Sequence, residues 1–404
     1  MESDPKRSSA PTQQALLFPL LESMADEGGR ARSKRLCDKV AKRIGVSDEV
    51  RTRRVLAGKA GSINEFDRSV RWAQQKAKAL GLAEPITGTG QWRLTGKGRG
   101  ALREAKPGVV LTVFTTDNGF ALFARAEDAI GMVDDGSVQL LLTSPPYPLL
   151  RTKEYGNVDE KTYVNWFMKI ADQWPRKLTA DGSILINTMD VWMPGRPQVS
   201  LYQERLLLAL EEAGINLCQR FQWHNPSKLP SPAEWVTVRR VRVKPGLEQI
   251  FWLSPHEHPY ADNRQVLRKY SQAMVDRIAA GGERKALRPS GFDMAAGSFG
   301  NDNGGSIPDN LISAANTESN SNYISACKAA GLPVHPARFP RALPEFFIKL
   351  LSRAGDIVFD PFGGSGTTAK CAEDLGRRWI TSEAVLEYVL GSRLRFRQSG
   401  LALD

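Results

Sequence analysis

The residues Ser144-Pro145-Pro146-Tyr147 directly follow the short apolar run Leu140 to Leu142. The run is short and has no helical period, which predicts a buried strand of a parallel sheet. Neither proline can donate a backbone hydrogen bond, and each holds the residue before it extended, so the tetrapeptide predicts a stiff loop at the carboxyl end of that strand. Open α/β sheets bind their ligands at this end. A surface turn with a packed tyrosine is the alternative that these four residues leave open.

A second stretch that could do chemistry is GDIVFDPFGGSGTTAKCAEDLGRRWITSE, residues 355–383. It predicts a short strand ending at Asp360, a glycine loop, and a helix from Thr367 whose free N–H groups face the loop. The next predicted strand ends at Glu383, 23 residues after Asp360, where an acid would accept hydrogen bonds from ribose hydroxyls. The glycines are not followed by Lys-Ser or Lys-Thr, so the pattern predicts a nucleotide-like site that is not a phosphate-binding P-loop.

The 404 residues are 41% hydrophobic, which is sufficient for one large core and a smaller domain. No run approaches the roughly 18 apolar residues of a membrane span, and the first residues, MESDPKRSSAP, lack the apolar stretch of a secretory signal. We therefore expect a cytoplasmic protein without a membrane partner. The four cysteines have no paired spacing, which predicts neither disulfides nor a zinc site: Cys37, Cys218, Cys327 and Cys371.

The positive charge is concentrated near the N-terminus. Residues 1–106 hold 22 Lys and Arg against 12 Asp and Glu, a net charge of +10, whereas the whole chain carries +11. A basic domain joined to a nearly neutral one favours a polyanionic partner, most often nucleic acid, over a merely solubilising surface.

Residues 1–106 show three helical patterns followed by a hairpin. The third pattern opens at Ser62 with the spacing of a capping box to Glu65. Its apolar residues form one stripe: Phe66, Val70, Ala73, Ala77 and Leu80. Two short strands are predicted around Gly88-Thr89-Gly90. Three helices and a basic hairpin predict a winged helix, which is similar to the N-terminal domain of Mrr-type restriction proteins.

The basic residues of the third helix and the wing are either a solvated face or phosphate contacts, and we favour contacts with DNA. They are Arg68, Arg71, Lys78, Arg93, Lys97 and Arg99.

Ser-Pro-Pro-Tyr at 144–147, together with Asp-x-Phe-x-Gly-x-Gly at 360–366, resembles the amino DNA methyltransferases that depend on S-adenosylmethionine. The catalytic motif precedes the cofactor motif, which is the order of the β group. The stretches TSPPY…KEYGN, NPSKLPSP.EWV, DNGGSIP.NL and HPARFP..LPEFFI are similar to PvuII-type N4-cytosine modification methyltransferases. The resemblance implies an α/β fold with a permuted Rossmann-like methyltransferase sheet in a catalytic domain of residues 107–404.

The resemblance also implies the chemistry. The Ser144 hydroxyl and the Pro145 carbonyl accept the two hydrogens of the cytosine N4 amine, Pro145 and Pro146 hold these acceptors rigidly, and Tyr147 stacks on a base flipped out of the duplex. Serine stands where N6-adenine relatives usually carry Asp, which favours cytosine. An N6-adenine enzyme and an inactive DNA-binding regulator stay open as alternatives. No Pro-Cys occurs for C5-cytosine chemistry, and no metal is required.

By the same resemblance, a larger set of residues binds the cofactor: Asp360, Phe362, Gly363, Gly364, Ser365, Gly366, Thr367, Glu383, His335 and Phe339. For His335, capping of the next helix is an equal alternative. Trp223 and Asn225 are assigned to DNA near the flipped base, with core packing as the alternative for Trp223. The acid that usually contacts adenine is missing, because the nearest match to the family's Gly-Asp is Ala124-Arg125, with Glu127 and Asp128 beyond.

Residues 255–330 are polar and lack periodicity, so we expect a target-recognition region, with disorder as the alternative. The expected partner is double-stranded DNA, and the resemblance suggests CAGCTG as the target. We expect a monomer or weak dimer. Whether a separate restriction endonuclease accompanies the protein stays open.

Overall fold

The computed structural model describes residues 13–56, 62–102, 105–148, 160, 162–287, 289, 291, 293–317 and 320–396. The KEYGN stretch at 153–157, which contributed to the resemblance, lies outside the described residues. None of the described helices is both long and apolar enough to cross a lipid bilayer.

The N-terminal part is a small helical domain with a three-stranded antiparallel sheet in the order β1-β5-β4. Its elements are α1 (Gln13–Asp26), β1 (Arg30–Arg32), α2 (Ser33–Arg43), α3 (Asp48–Thr52), β2 (Arg54–Leu56), β3 (Ser62–Asn64), α4 (Glu65–Ala79), β4 (Ala83–Ile86), β5 (Gln91–Leu94) and α5 (Gly96–Ala101). The β4–β5 pair is the predicted wing hairpin. The described segments also contain the short helix α3 and the β2–β3 pair, which the sequence patterns did not predict.

The third predicted helix exists, but its predicted start is wrong. Ser62 does not cap the helix because Ser62–Asn64 pair with Arg54–Leu56 as a strand. The helix begins at Glu65, and the Asn64 side chain accepts a hydrogen bond from the Asp67 N–H at 2.8 Å. The predicted apolar stripe is confirmed: its first four residues are fully buried and Leu80 packs partly against them.

The larger part of the chain forms a nine-stranded, mostly parallel sheet in the order β14-β10-β11-β9-β8-β15-β16-β7-β6. The strands after β5 are β6 (Leu111–Thr115), β7 (Gly119–Phe123), β8 (Val138–Thr143), β9 (Leu178–Thr188), β10 (Asn216–His224), β11 (Leu247–Ser254), β12 (Ala286–Leu287), β13 (Asp293–Met294), β14 (Leu311–Ser313), β15 (Ile357–Asp360) and β16 (Arg378–Glu383). Strands β12 and β13 form a separate small hairpin. The predicted fold class is confirmed.

Helices cover both faces of this sheet. The helices of this part of the chain are α6 (Ala126–Ala129), α7 (Tyr163–Ala171), α8 (Trp174–Lys177), α9 (Tyr202–Glu212), α10 (Gln272–Ala279), α11 (Ser321–Ala329), α12 (Ala342–Leu351), α13 (Thr367–Asp374) and α14 (Leu386–Arg393). All six residues of β8 are buried. Leu140 packs with α12 and α13 on one face, whereas Leu141 packs with α7 and α9 on the other. A strand covered on both faces favours apolar residues on both sides, which explains the continuous run Leu140 to Leu142.

The direction of the strands defines one edge of the sheet. Strands β7, β16, β15, β8 and β9 run parallel, whereas β11 is antiparallel to both β9 and β10. The carboxyl ends of β8, β9, β10 and β15 and the amino end of β11 therefore lie at the same edge. We call it the catalytic edge.

The two parts of the chain share one apolar core. Leu16 and Leu20 of α1 belong to the same buried cluster as Leu111 of β6 and Phe396. The Ala105 N–H donates to the Ala384 carbonyl at 2.8 Å. A division at residue 106 stays a prediction, and the structure adds that the N-terminal part packs directly on the sheet.

Residues 255–330, expected to be loops, contain secondary structure where they are described. This region holds a short 3-10 helix (Asn263–Val266), α10, the β12–β13 hairpin, α11, and β14, which pairs in parallel with β10. Its role in target recognition stays a prediction.

Candidate active site

The two motifs predicted to do chemistry meet at the catalytic edge. Strands β8 and β15 are neighbours, so the loop after Thr143 and the loop after Asp360 begin side by side. The Thr143 hydroxyl donates to Asp360 Oδ1 at 2.9 Å across 217 residues of sequence. This buried bond fastens the Ser-Pro-Pro-Tyr loop to the glycine loop.

The hydroxyls of Ser144 and Tyr147 lie within the Ser-Pro-Pro-Tyr loop at 2.8 Å from each other. Pro145 is buried, and Ser144, Pro146 and Tyr147 are half-buried. The tyrosine does pack, as the alternative interpretation held. Its hydroxyl points into a polar network at the catalytic edge, however, and this placement does not fit a simple surface turn.

Three further residues, which the sequence patterns did not reveal, complete this network. Asn187 lies near the carboxyl end of β9, and Glu248 near the amino end of β11. Asn187 Nδ2 donates to Tyr147 Oη at 2.7 Å and to Glu248 Oε2 at 3.0 Å, and it lies 3.4 Å from Ser144 Oγ. Lys228 Nζ lies 3.3 Å from Glu248 Oε1. The available signal was an acid in the strand LEQIFWLS, whose residues Ile250 to Leu253 form an apolar run.

The carboxylate sets the direction of the hydrogen bonds. Tyr147 Oη lies 3.3 Å from Glu248 Oε2, and a carboxylate can only accept, so the tyrosine hydrogen goes to Glu248. The Tyr147 oxygen then accepts the Ser144 hydrogen. Burial, followed by the charge of Glu248, raises the pKa of Tyr147 well above its ordinary value, so the phenol stays protonated. Ser144 Oγ is therefore an acceptor, and beside the long contact from Asn187 Nδ2 at 3.4 Å it has a lone pair available to a ligand.

A buried acceptor without a partner lies beside this chain of hydroxyls. Oδ1 of Asn187 is buried and has no hydrogen-bond partner among the described residues. Buried polar atoms are almost always satisfied. The site is therefore built for a ligand that donates hydrogen bonds.

The glycine loop is closely packed against its neighbours. A Cβ at Gly363 would lie 1.9 Å from Thr381 Oγ1, and one at Gly364 would lie 3.0 Å from the His335 ring. Gly366 has φ +71°, in the left-handed region, and a Cβ there would lie 2.7 Å from Ser392 Cβ. These positions accept only glycine without a shift of the surrounding chain.

Two carboxylates flank the glycine loop, that of buried Asp360 and that of half-buried Glu383. Glu383 accepts the N–H groups of Gly364 at 3.1 Å and Val385 at 2.9 Å, and burial raises its pKa to about 7. Asp360 accepts the Phe362 N–H at 3.1 Å, and burial raises its pKa to about 6. Glu383 therefore lies at the loop, where the ribose contact was expected, whereas Asp360 joins the two loops.

Three other residues expected at the cofactor pack against aromatic or glycine neighbours. His335 is buried, packs on Gly364, and has its ring 4.5 Å from that of Tyr388. Half-buried Phe362 packs against Trp166. Half-buried Phe339 packs edge-on against Trp223.

The hydroxyls of Ser365 and Thr367 are 3.1 Å apart and buried. Arg395 donates to the Ser365 carbonyl at 2.6 Å. These contacts fix the start of α13 from within the protein. Cofactor contact by the two side chains stays a prediction.

Trp223 and Asn225, which were assigned to DNA near the flipped base, are both buried. The Trp223 indole N–H donates to the Ala314 carbonyl at 2.8 Å, and Asn225 Oδ1 accepts from Ser227 Oγ at 2.9 Å. Both residues lie where β10 ends and its connection to β11 begins. Core packing, the alternative for Trp223, fits these contacts.

The sequence pair Ala124-Arg125 follows β7 at the carboxyl edge of β16 and β7. Ala124 is buried, and its N–H donates to the Glu383 carbonyl at 3.1 Å. Arg125 forms an ion pair with Glu127 at 2.8 Å. Among the described residues, no group of three or more His, Cys, Asp or Glu is placed to hold a metal.

The basic residues expected at DNA lie in the N-terminal domain. Arg71 and Lys78 are exposed on α4, and Lys97 and Arg99 are exposed on α5. Arg93 is ion-paired with Glu84 at 2.6 Å, which reduces its availability to phosphate. Arg68 stacks over Trp72 at 4.4 Å, and Trp72 is itself 44% exposed. Trp72 was not singled out from the sequence.

Comparisons with known proteins identify relatives for both parts of the chain. Residues 138–392 match the family described as DNA methylase, N6_N4_Mtase, and residues 14–104 match the Mrr N-terminal domain. The Type II methyltransferase M.PvuII of Proteus hauseri is 42% identical over 292 residues, which are 72% of this chain and 87% of that protein. M.BglII of Bacillus subtilis is 26% identical over 259 residues, 64% of this chain and 63% of that protein.

One solved structure gives a corresponding match in three dimensions. The PvuII DNA methyltransferase (cytosine-N4-specific) superimposes with a TM-score of 0.58 at 37% identity, covering 72% of this chain and 91% of that chain.

Proposed function

The chain belongs to the N6/N4 DNA methylase family, and we propose that it transfers a methyl group from S-adenosylmethionine to the N4 amine of cytosine in double-stranded DNA. One observation carries the choice of chemistry. The hydroxyl chain from Ser144 through Tyr147 to Glu248 leaves Ser144 as a hydrogen-bond acceptor at the catalytic edge. An exocyclic amine, which donates two hydrogens, is the group that such an acceptor fits.

The residues around the glycine loop suit the cofactor. Gly363 and Gly366 allow the loop backbone to pack closely against Thr381 of β16 and Ser392 of α14, which fixes the position of the loop. Glu383, at the end of β16, offers a carboxylate to ribose hydroxyls. S-adenosylmethionine, when bound, supplies the electrophilic methyl group on its sulfonium. No phosphate-binding lysine follows the glycines, which agrees with a cofactor that has no phosphate.

The chain's own residues orient the amine. Its lone pair is delocalised into the ring, so the nitrogen attacks well only after its hydrogens are drawn out of the ring plane. Ser144 Oγ and the Pro145 carbonyl would accept these hydrogens, and the two prolines hold both acceptors in place. The carboxylate of Glu248 keeps the Ser144 lone pairs turned outward. The unpartnered Asn187 Oδ1 offers a further acceptor to the base.

The identity of the base follows from the residue at position 144. Serine replaces the Asp that N6-adenine relatives usually carry, and M.PvuII, a cytosine-N4-specific methyltransferase, is 42% identical to this chain over 292 residues. We propose that the protein acts as the modification enzyme of a restriction-modification system and that the N-terminal domain holds the DNA by its phosphates.

The test is incubation of the purified protein with tritiated S-adenosylmethionine and genomic DNA, followed by mass spectrometry of the nucleosides. We expect N4-methylcytosine. Detection of N6-methyladenine would show that adenine is the base methylated. Absence of any methylated base would favour an inactive DNA-binding regulator. Base-resolution sequencing of the product then identifies the target, with CAGCTG the first site to examine.

A Ser144→Ala variant separates the chemistry from cofactor binding. We expect it to lose most turnover while calorimetry shows nearly unchanged cofactor affinity, because the proposed role of the hydroxyl is to contact the base and not the cofactor. An equal loss of both would contradict the assignment of Ser144.

A further inference from the structure

The connection between β10 and β11 carries a basic and apolar surface that the proposed chemistry does not use. Residues 225–246 contain five Lys and Arg and a single acid, Glu234. That acid is already paired with Arg239 at 2.7 Å. Residues 238–244 read Val-Arg-Arg-Val-Arg-Val-Lys, and we call them the arginine ridge.

The ridge exposes its valines to solvent. Val238, Val241 and Val243 are 68%, 61% and 87% exposed. Single exposed apolar residues are ordinary, but a group of them in one short segment marks an interaction site. The basic side chains between them select a polyanion as the partner.

The backbone of the ridge is held in place by contacts at its base. The N–H groups of Val241 and Arg242 donate to the Trp235 carbonyl at 2.9 and 3.2 Å. The Arg242 guanidinium stacks over Trp192 at 4.3 Å. Exposed Arg240 has φ +55°, a left-handed conformation that costs a non-glycine residue about 1–3 kcal/mol. Strain of this kind persists where the surrounding structure enforces it, commonly at ligand contacts.

The ridge also lies beside the active site. Its connection leaves β10 after His224 and enters β11 at Leu247, both at the catalytic edge. The Asn225 N–H donates to the Gly246 carbonyl at 2.8 Å and closes the base of the connection. Lys228, the first basic residue of the connection, reaches Glu248 at 3.3 Å.

We infer that the arginine ridge enters the DNA duplex beside the target cytosine. Arg240 and Lys244 bind phosphates, and Val241 and Val243 fill the space that the flipped nucleotide leaves. This inference rests on the proposed function and specifies how its DNA substrate is held. An apolar wedge offsets the loss of base stacking when a nucleotide leaves the helix. Cationic side chains at phosphates contribute a DNA affinity that decreases as the salt concentration rises.

The wedge is tested with the double variant Val241→Ser and Val243→Ser in the full-length protein. Both side chains are exposed, so the fold does not depend on them. The substrates are two duplexes with the target cytosine opposite guanine or opposite an abasic site, where flipping is cheap. We expect kcat/KM to fall about tenfold on the paired duplex and less than about twofold on the abasic one. The control is Leu208→Ser, 58% exposed on α9.

The phosphate contacts are tested with Arg240→Gln and Lys244→Gln together. The log-log salt dependence of DNA affinity should become shallower by about 2, at about 0.9 per lost phosphate contact. The control is Lys169→Gln in the last turn of α7, which leads away from the catalytic edge. Equal losses on both duplexes, or an unchanged salt slope, would overturn the inference. If the wild-type protein methylates no DNA, the proposed function fails instead.

Discussion

The carboxylate of Glu248 controls the polarity of the active-site hydrogen bonds, and a Glu248→Gln variant tests this directly. The variant keeps the shape of the side chain but removes the charge and replaces one acceptor oxygen with an NH₂ donor. Tyr147 then loses its obligatory acceptor and can turn its hydrogen toward Ser144. The serine would in turn present its hydrogen, and not a lone pair, to the amine.

The structure gives the scale of the effect. Glu248 is 8% exposed and accepts from Tyr147 at 3.3 Å and from Asn187 at 3.0 Å. A hydrogen bond to a charged group contributes about 1.5–3 kcal/mol, so kcat should fall roughly 10- to 150-fold. The Lys228 ammonium, 3.3 Å away, is left without its counter-ion, and breaking such a pair costs about 3 kcal/mol of folding stability.

The assay combines single-turnover methyl transfer, calorimetry with S-adenosylmethionine and thermal unfolding. Cofactor affinity should stay near that of the wild type, because Glu248 is not part of the glycine loop. The double variant Glu248→Gln with Lys228→Met removes both charges and should regain most of the lost stability while its rate stays low. If the double variant regains both stability and rate, or if Glu248→Gln alone keeps the wild-type kcat, the reasoning is refuted.

Three other perturbations follow from the same geometry. Asp360→Ala removes the acceptor that ties the two loops together, so calorimetry should show at least about a tenfold loss of cofactor affinity; unchanged affinity would contradict this. Burial raises the pKa of Glu383 to about 7, so its charged form is lost as pH falls through that value. Cofactor affinity should therefore drop between about pH 8 and about pH 6, and Glu383→Gln should flatten the profile. Replacing Arg68, Arg71 and Lys78 with Gln should make the salt dependence of DNA affinity shallower by about 3 in an anisotropy titration; an unchanged slope would assign α4 to another role.

Substitution is a better test of the N-terminal domain than its removal. Deleting residues 1–106 would uncover Leu111 and Phe396, which pack in the same core as Leu16 and Leu20 of α1. A truncated chain would lose DNA binding through misfolding as readily as through lost phosphate contacts. The charged residues of α4 are on its surface, so their replacement leaves this core intact.

The elements that could be predicted from the sequence are those whose function constrains both the types of their residues and the spacing between them. Ser144-Pro145-Pro146-Tyr147 and the glycine loop carry residues with special backbone requirements, and such residues stand out in a single sequence. Each also follows a short apolar run that predicts a buried strand. Their positions at the ends of the neighbouring strands β8 and β15 are confirmed.

The rest of the site depends on contacts between distant segments. Asn187 and Glu248 are ordinary residues in their own strands, and they act together only because β9 and β11 pair with each other. Trp223 and Asn225 occupy a motif that resembled a DNA contact, and both are buried, Trp223 at the point where β10 pairs with β14. Ser62 has a correct capping-box spacing, but strand pairing with Leu56 takes precedence over local capping.

Because β11 is antiparallel to its neighbours, the residue proposed to orient Ser144 lies close in sequence to the ridge proposed to bind DNA. A parallel strand would bring its carboxyl end to the catalytic edge, whereas β11 brings its first residues, so Glu248 lies next to Tyr147. The residues immediately before β11 belong to the connection that carries the arginine ridge, and only three residues separate Lys244 from Glu248. A duplex that engages the ridge therefore acts on the same short segment that orients the Ser144 lone pairs. On this arrangement, variants of the ridge should lower kcat on paired DNA as well as affinity, whereas variants of α4 should lower affinity alone.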